Sequence, residues 1–211
     1  MRPFIHVNCA MSADGKIAGT EHSQVRISSD EDLIRVRGLR KRYDAILVGV
    51  GTVLADDPHL TAKGTSQERN PVRIVLDTNG RTPDGARVLD DQASTVIITG
   101  TGCTRTWGDR ALVIRCGTDS IDLPRALDIL AHDYGIRNVL VEGGGTVIAS
   151  FFRYKLVDKY SVFIGGLVIG GRTAPTPADG EGWVQPGGVE LELTSTENYG
   201  NGVVLTFIPK Y

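Results

Sequence analysis

A run of three glycines between two apolar segments is the part of this sequence best suited to hold a phosphate. Residues 142–146 read Glu-Gly-Gly-Gly-Thr and follow the apolar run at residues 138–141. Glycines between a strand and a helix let the backbone approach a ligand, and the N–H groups of the helix start then face any anion placed there. The run lacks the Gly-Lys-Ser/Thr of a Walker loop. A phosphate-binding turn is favoured, and a tight turn without a ligand is the alternative.

A second glycine turn, Gly-Val-Gly-Thr-Val-Leu at residues 49–54, directly follows an apolar segment. It is similar to the dinucleotide fingerprint, but Leu54 stands where the third glycine would permit close packing of helix on strand. Pro58 should also end any helix early, because proline disfavours helical backbone in the residue before it. The pattern argues against a standard Rossmann site. It leaves open both a phosphate contact to backbone N–H groups and an ordinary turn.

Basic side chains offer two further sites for an anion. Arg81 lies in a loop after an apolar segment, close to the hydroxyls of Thr78 and Thr82. An arginine beside hydroxyls suits the 2′-phosphate that distinguishes NADP from NAD, although a solvated turn also explains the pattern. Arg40 ends a basic helix face and Lys63 follows the Asp-Asp-Pro turn. Either can hold a substrate phosphate, or the face is simply solvated.

Composition limits the classes of protein to consider. The chain has 211 residues, 41% of them hydrophobic and 23% charged, with a net charge of -2, so we expect a globular domain without general affinity for nucleic acid or membranes. No apolar run approaches the roughly 20 residues of a membrane span, and no signal peptide is recognised, so a cytoplasmic location is predicted. Cys9, Cys103 and Cys116 lack metal-ligand spacing, which predicts reduced thiols and no metal site.

The order of apolar segments predicts the fold that must position these residues. Strands are predicted at residues 4–10, 45–50, 72–76, 95–98, 112–114 and 138–141, and then at 160–164, 189–193 and 203–208. The last three have no long helix between them, which favours antiparallel pairing. The prediction is an α/β fold with a mostly parallel central sheet, antiparallel C-terminal strands and flanking helices.

Three helices and one long connection complete this prediction. Ser28 and Glu31 have the spacing of a capping box, which predicts a helix from about residue 28 to 43. Pro124 and Gly135 bracket a second helix, and a third should run from about residue 146 to 156. The Gly/Pro-rich connection at residues 165–188 is long enough to predict a functional or interface role.

Five sequence segments together resemble the riboflavin-pathway reductase family, both in their residue types and in their order along the chain. They are residues 12–18, 32–40, 49–58, 70–77 and 141–146. The most specific is Thr-Val-Leu-Ala-Asp-Asp-Pro at residues 52–58, and the resemblance is weakest at residues 100–117. The resemblance implies a dihydrofolate-reductase-like fold, a single reductase domain over residues 1–211, and a homodimer.

The residues of the zinc deaminase that is often fused to this reductase are absent, so the chain resembles the stand-alone archaeal type. That type implies NADPH-dependent reduction of 2,5-diamino-6-ribosylamino-4(3H)-pyrimidinone 5′-phosphate, a small-molecule substrate, with NADH serving less well. Three alternatives stay open. They are reduction of the deaminated 5-amino-6-(5-phosphoribosylamino)uracil, another pterin or folate reductase, and a module that senses NADPH without consuming it.

The resemblance also implies roles for individual residues. The positions implied to contact NADPH are Thr52, Asp56, Thr78, Arg81, Thr82, Ile121, Gly144, Gly145, Thr146 and Val147. Those implied to bind substrate are Gln24, Arg40 and Lys63. Lys16 and Glu142 are the catalytic candidates, although Lys16 can instead be solvated and Glu142 can instead cap a helix. The turn at Thr52 and the triple-glycine turn are expected to converge on one dinucleotide.

Overall fold

Apolar segments of the sequence form buried strands in the computed structural model, which describes residues 1–183 and 187–211. Contacts between Cα atoms divide the chain into two units. The first unit comprises Met1–Phe4 and Arg37–Leu140, and the second comprises Ile5–Val36 and Val141–Tyr211. In chain order the strands and α-helices are β1 (Phe4–Ser12), α1 (Asp30–Arg40), β2 (Ala45–Gly49), α2 (Val50–Asp56), β3 (Val72–Leu76), β4 (Thr95–Thr99), β5 (Leu112–Arg115), α3 (Leu123–Tyr134), β6 (Asn138–Gly143), α4 (Gly145–Arg153), β7 (Lys159–Gly165), β8 (Glu190–Tyr199) and β9 (Gly202–Lys210).

Parallel pairing organises the first unit. Strand β2 pairs with β3, β3 with β4, and β4 with β5, all in parallel. Every residue of β2 and β4 is buried, as expected for strands covered on both faces. Gly49 lies opposite Leu76, and Leu76 lies opposite Ile98. The carboxyl ends of these strands therefore lie at one edge, which is where ligands bind in parallel α/β sheets.

Helix α3 of the first unit has the ends that the sequence predicts. The carboxylate of Asp122 accepts a hydrogen bond from the backbone N–H of Arg125, and Pro124 lies in the first turn. Gly135 follows the helix with φ of 67°, a left-handed conformation that favours glycine. Helix α2 is short, as Pro58 indicates. Asp57 ends it with φ of 41°, and the Asp57 N–H donates to the carbonyl of Val53.

Strand pairing in the second unit is mixed. Strand β1 pairs with β7 in parallel, so that Ser12 lies opposite Gly165. Strand β9 lies between β7 and β8 and is antiparallel to both. A small apolar cluster of Ile27, Phe163 and Val204 is buried in this unit. The predicted α/β class, mostly parallel with antiparallel C-terminal strands, is confirmed.

Three predicted boundaries are wrong. The cap of α1 is Ser29, whose Oγ accepts a hydrogen bond of 3.1 Å from the backbone N–H of Asp32, so the predicted capping box starting at Ser28 does not form. The helix ends at Arg40, before the predicted residue 43. Adjacent serines are both good caps, so residue type alone does not choose between them. Strand β8 continues to Tyr199, beyond the predicted residue 193. Its second half carries polar side chains on both faces and so lacks the alternation that predicts a strand.

Three further expectations concern the long connection, membrane-spanning helices and the cysteines. The predicted connection at residues 165–188 includes residues 184–186, which lie outside the described residues. In the described ranges, no helix combines the length and apolarity needed to cross a bilayer. All three cysteines are free thiols, as predicted.

Candidate active site

The loop that follows β3 in the first unit is built around a buried carboxylate. Asp77 is 0% exposed and accepts hydrogen bonds from the backbone N–H groups of Arg81, at 2.8 Å, and Thr82, at 2.7 Å. The Thr82 hydroxyl donates to the same carboxylate at 2.7 Å. Arg81 itself is exposed and Thr78 is half-buried. The Thr82 hydroxyl thus stabilises the loop through Asp77. Its predicted contact with a cofactor stays a prediction.

Neighbouring loops join this one along the same edge. The backbone N–H of Gly100, after β4, donates to the carbonyl of Thr78 at 3.0 Å. The N–H of Thr101 donates to the carbonyl of Gly117, after β5, at 2.7 Å. Ile121 follows in that third loop and is 8% exposed. The structure thus links the loops that carry the predicted residues Thr78 and Ile121.

Two other predicted cofactor residues lie in α2, which directly follows β2. Thr52 is half-buried, and Asp56 is the exposed last residue of the helix. At Gly51, in the first turn, an added Cβ would meet no atom within 4 Å. The backbone there is accessible, as a phosphate contact requires, and it begins at the same strand edge as the loop after β3.

Arg40 and Lys63, predicted to hold a substrate phosphate, belong to adjoining segments of the first unit. The guanidinium of Arg40, the last residue of α1, donates to the carbonyl of Thr61 at 3.2 Å. Lys63 is exposed and follows Thr61 by two positions. The structure therefore brings two cationic side chains to one short segment, a charge that suits a phosphate monoester.

In the second unit, the turn that carries Lys16 is fastened at both ends. The backbone N–H of Lys16 donates to the Ser12 hydroxyl at 2.9 Å, and the Nζ of Lys16 donates to the carbonyl of Ala174 at 3.0 Å. The N–H of Ile17 donates to the carbonyl of Pro175 at 2.9 Å. The ammonium group is thus oriented by a carbonyl of the connection that follows β7, and Lys16 as a residue is half-buried.

Asp14 fixes the same turn to the start of that connection. Its carboxylate accepts hydrogen bonds from the Ser12 hydroxyl at 2.6 Å and from the backbone N–H groups of Ile169, at 3.0 Å, and Gly170, at 2.7 Å. The hydrogen bond from Ser12, followed by those from the two N–H groups, lowers the pKa of Asp14 to about 2. Asp14 therefore acts as an ionised acceptor at neutral pH.

The triple-glycine turn opens α4 and packs against the same connection. Gly144 precedes the helix with φ of 83°, and Gly145 is its first residue. A Cβ on Gly145 would overlap the carbonyl oxygen of Thr176 and would lie 2.9 Å from a carboxylate oxygen of Asp179. Glycine is therefore required by close packing within the unit. Thr146 is exposed and Val147 half-buried in the first turn.

Residues 174–179 thus contact both the Lys16 turn and the start of α4, which places two predicted features of the second unit on one segment. Glu142 is half-buried near the end of β6, two residues before Gly144. Gln24 is exposed at a pocket of about 540 Å³, a size that suits a ring-bearing small molecule. The other lining residues are Ala10, Ile17, Val25, Arg26, Ile27, Ser28 and Leu33.

Sequence reasoning missed two residues that organise these loops. Asp77 has a local signal, because an aspartate shortly before an Asn-Gly pair is typical of a turn in which the side chain accepts backbone N–H groups. Asp14 lies in residues 12–18, one of the segments that resemble the family, but its partners at positions 169 and 170 are about 155 residues away in sequence. Only the folded structure could identify that contact.

A comparison with models of known protein families shows to which family the chain belongs. Residues 3–205 match the RibD C-terminal domain. The chain belongs to the RibD C-terminal domain family. Membership of this reductase family is consistent with a nicotinamide cofactor, and the predicted resemblance is confirmed.

Known relatives align with this chain over nearly its whole length. It is 40% identical over 219 residues to the 2,5-diamino-6-ribosylamino-4(3H)-pyrimidinone 5′-phosphate reductase of Archaeoglobus fulgidus, covering 98% of each chain. It is 41% identical over 217 residues to the reductase of the same name from Methanothermobacter thermautotrophicus, covering 100% of each. The solved riboflavin biosynthesis reductase of Saccharomyces cerevisiae superimposes with a TM-score of 0.81 at 25% identity, covering 99% of this chain and 90% of the other.

Proposed function

We propose that this RibD C-terminal domain family member reduces 2,5-diamino-6-ribosylamino-4(3H)-pyrimidinone 5′-phosphate to the ribitylamino product with NADPH, in riboflavin biosynthesis. The observation that carries the proposal is the end-to-end match, at 40% and 41% identity, to two archaeal reductases of that name. In this proposal residues 1–211 act as a single reductase domain, in a cytoplasmic homodimer.

The donors of the first unit fit the phosphate-bearing end of a nicotinamide dinucleotide. The exposed guanidinium of Arg81 stands on a loop whose backbone is bonded to buried Asp77, at the edge where parallel strands present their carboxyl ends. A guanidinium can form paired, charge-assisted hydrogen bonds to a 2′-phosphate, which NADH lacks, so NADH should serve less well. The proposed NADPH contacts are Thr52, Asp56, Thr78, Arg81, Thr82 and Ile121, with Gly144, Gly145, Thr146 and Val147 of the second unit.

Substrate binding is proposed for three residues. Arg40 and Lys63 supply positive charge for the 5′-phosphate, and the bond from Arg40 to the Thr61 carbonyl orients its guanidinium toward that segment. Gln24 offers both an amide donor and an acceptor at the rim of its pocket, whose apolar walls include Ala10 and Leu33. Amide groups of this kind suit the polar edge of a pyrimidine ring.

Lys16 and Glu142 are proposed to act on the reacting carbon. NADPH, when bound, supplies the hydride for C1′ of the ring-opened ribosylamine. The carboxylate of Glu142 can stabilise the positive charge of the substrate iminium or bond the pyrimidine ring. The Lys16 ammonium, held by the Ala174 carbonyl, can donate a hydrogen bond to a sugar oxygen or assist proton transfer there.

Turnover assays with the purified chain test this proposal. The chain is supplied with NADPH and, in separate reactions, the diaminopyrimidinone phosphate, its deaminated uracil analogue and dihydrofolate, while the loss of reduced nicotinamide is followed. We expect the highest kcat/KM with the diaminopyrimidinone. A higher kcat/KM for the uracil or for dihydrofolate would reassign the substrate. Binding of NADPH without consumption in any reaction would indicate a sensing module instead.

A further inference from the structure

Residues 103–107 pack directly on the turn that carries Arg81. Gly80 adopts φ of 68°, and a Cβ at this position would lie 2.8 Å from the sulfur of Cys103 and 3.1 Å from the Cβ of Arg105. None of the five sequence segments that resemble the family covers residues 103–107, and none of the predicted site residues falls within this segment. Its contact with the turn is therefore a property that only the structure displays.

Two side chains of the segment bond the carbonyls on either side of Arg81. The guanidinium of Arg105 donates to the carbonyl of Gly80 at 2.7 Å. The buried indole N–H of Trp107 donates to the carbonyl of Thr82 at 3.0 Å. The Arg105 guanidinium also lies 5.0 Å from the centre of the Trp107 ring, a cation–π distance that couples the two side chains.

Together with Asp77, these bonds fix the backbone of Arg81 on both sides. The Asp77 carboxylate takes the N–H groups of Arg81 and Thr82, while Arg105 and Trp107 take the flanking carbonyls. An exposed arginine loses side-chain freedom when it binds an anion, and a fixed backbone removes part of the total ordering cost. The turn is therefore preorganised at the residue that is proposed to bind the 2′-phosphate.

We propose that Arg105 and Trp107 are positioning residues that determine selectivity for NADPH over NADH, by holding the backbone of Arg81. This inference rests on the proposed role of Arg81 in NADPH binding. Arg105 itself is occupied by the Gly80 carbonyl, by the Trp107 ring and by the carboxylate of Asp84 at 3.2 Å. It acts through Arg81 rather than as a second phosphate ligand.

A matched pair of arginines separates this role from a general effect of charge. Arg105 and Arg110 both approach the Asp84 carboxylate, at 3.2 Å and 3.5 Å, with side chains 35% and 49% exposed. The hydrogen bond of Arg110 goes to the carbonyl of Asp84, not to the turn. Dissociation constants for NADPH and NADH should be measured by calorimetry for the wild-type chain of residues 1–211 and for its Arg105→Gln and Arg110→Gln variants.

We expect Arg105→Gln to lower the ratio of NADPH affinity to NADH affinity about tenfold, the effect of one lost charged hydrogen bond, and Arg110→Gln to leave it nearly unchanged. Trp107→Phe retains a ring beneath Arg105 but removes the donor to Thr82, so it should lower the ratio less, in the same direction. Arg105→Lys retains a donor for Gly80 and should restore part of the ratio. Equal losses from Arg105→Gln and Arg110→Gln would overturn the inference.

A double-mutant cycle with Arg81→Ala tests whether Arg105 acts through Arg81. In that background, Arg105→Gln should cause no further loss of selectivity, because the side chain that it positions is gone. An additive loss would mean that Arg105 contacts the phosphate itself, contrary to the inference. A wild type that binds both cofactors equally would instead remove the proposed 2′-phosphate contact, so failure of the proposed function is recognised separately.

Discussion

The two units of the chain hold their candidate site residues by different means. In the first unit, buried side chains fasten a short loop: the Asp77 carboxylate and the Trp107 indole bond its backbone from within the protein. In the second unit, the turn that carries Lys16 is fastened by backbone groups of the connection after β7, of which Ala174 is buried and Ile169 and Gly170 are half-buried. There the bonds run to Ala174, Ile169 and Gly170.

This difference suggests a division of labour. Loops anchored entirely by buried side chains open rarely, whereas loops anchored in part by half-buried or exposed groups, as Asp14 anchors the Lys16 turn, open more readily. A fixed loop suits the invariant phosphate end of a cofactor, and an adjustable turn suits residues that contact a reacting substrate. Substitutions in the Arg81 loop should therefore change cofactor affinity, and substitutions in the Lys16 turn should change turnover.

The largest expected effect compares Glu142 of the second unit with Arg81 of the first. Glu142→Gln should lower kcat by about 10²- to 10⁴-fold, the range for a group acting on proton or charge transfer, with little change in NADPH affinity. Arg81→Ala should weaken NADPH binding by about 1–3 kcal/mol and affect NADH less. Steady-state kinetics and calorimetry on both variants check this. If both variants changed the same parameter, the division of roles between these two residues would be lost.

The second unit also contains a buried histidine, His6, which should make the free energy of unfolding depend on pH. This histidine of β1 is 1% exposed, with Nε2 2.9 Å from the Ser161 hydroxyl. Burial, followed by the positive charges of Lys159 and Arg35, lowers its pKa from 6.5 to about 3. Between these pH values the unfolded chain binds the extra proton, so the free energy of unfolding falls as the pH falls from 6.5 toward 3.

His6→Gln should remove up to about 1.4 kcal/mol per pH unit from this dependence. Denaturant unfolding of the wild type and the variant, at several pH values between 6.5 and about 4, measures the slope. The exposed His132, 90% accessible, provides the control variant His132→Gln, which should retain the wild-type slope. Equal slopes in all three proteins would show that His6 is not a source of acid sensitivity.

Local patterns predicted the elements better than the contacts between them. Buried strands such as β2 and the ends of α3 follow from apolar runs and from Pro124 and Gly135, which act over a few residues. The N-cap was misplaced by one position because Ser28 and Ser29 are chemically equivalent, and the selection depends on packing. Asp77 had a local signal, whereas the bonds from Arg105 and Trp107 join residues 25 apart and follow only from the folded chain.

The smallest expected effect concerns Asp14, which tests whether the Lys16 turn depends on its surface anchor. Asp14→Asn replaces one acceptor oxygen with a donor, so the N–H of Ile169 or Gly170 loses its partner. We expect kcat/KM to fall by less than about tenfold, with NADPH affinity unchanged. Asp91→Asn, at an exposed acid of the first unit, should change neither quantity. A parallel fall in NADPH affinity would mean that the turn supports the cofactor as well, and that the Lys16 turn and the Arg81 loop share one task rather than dividing it.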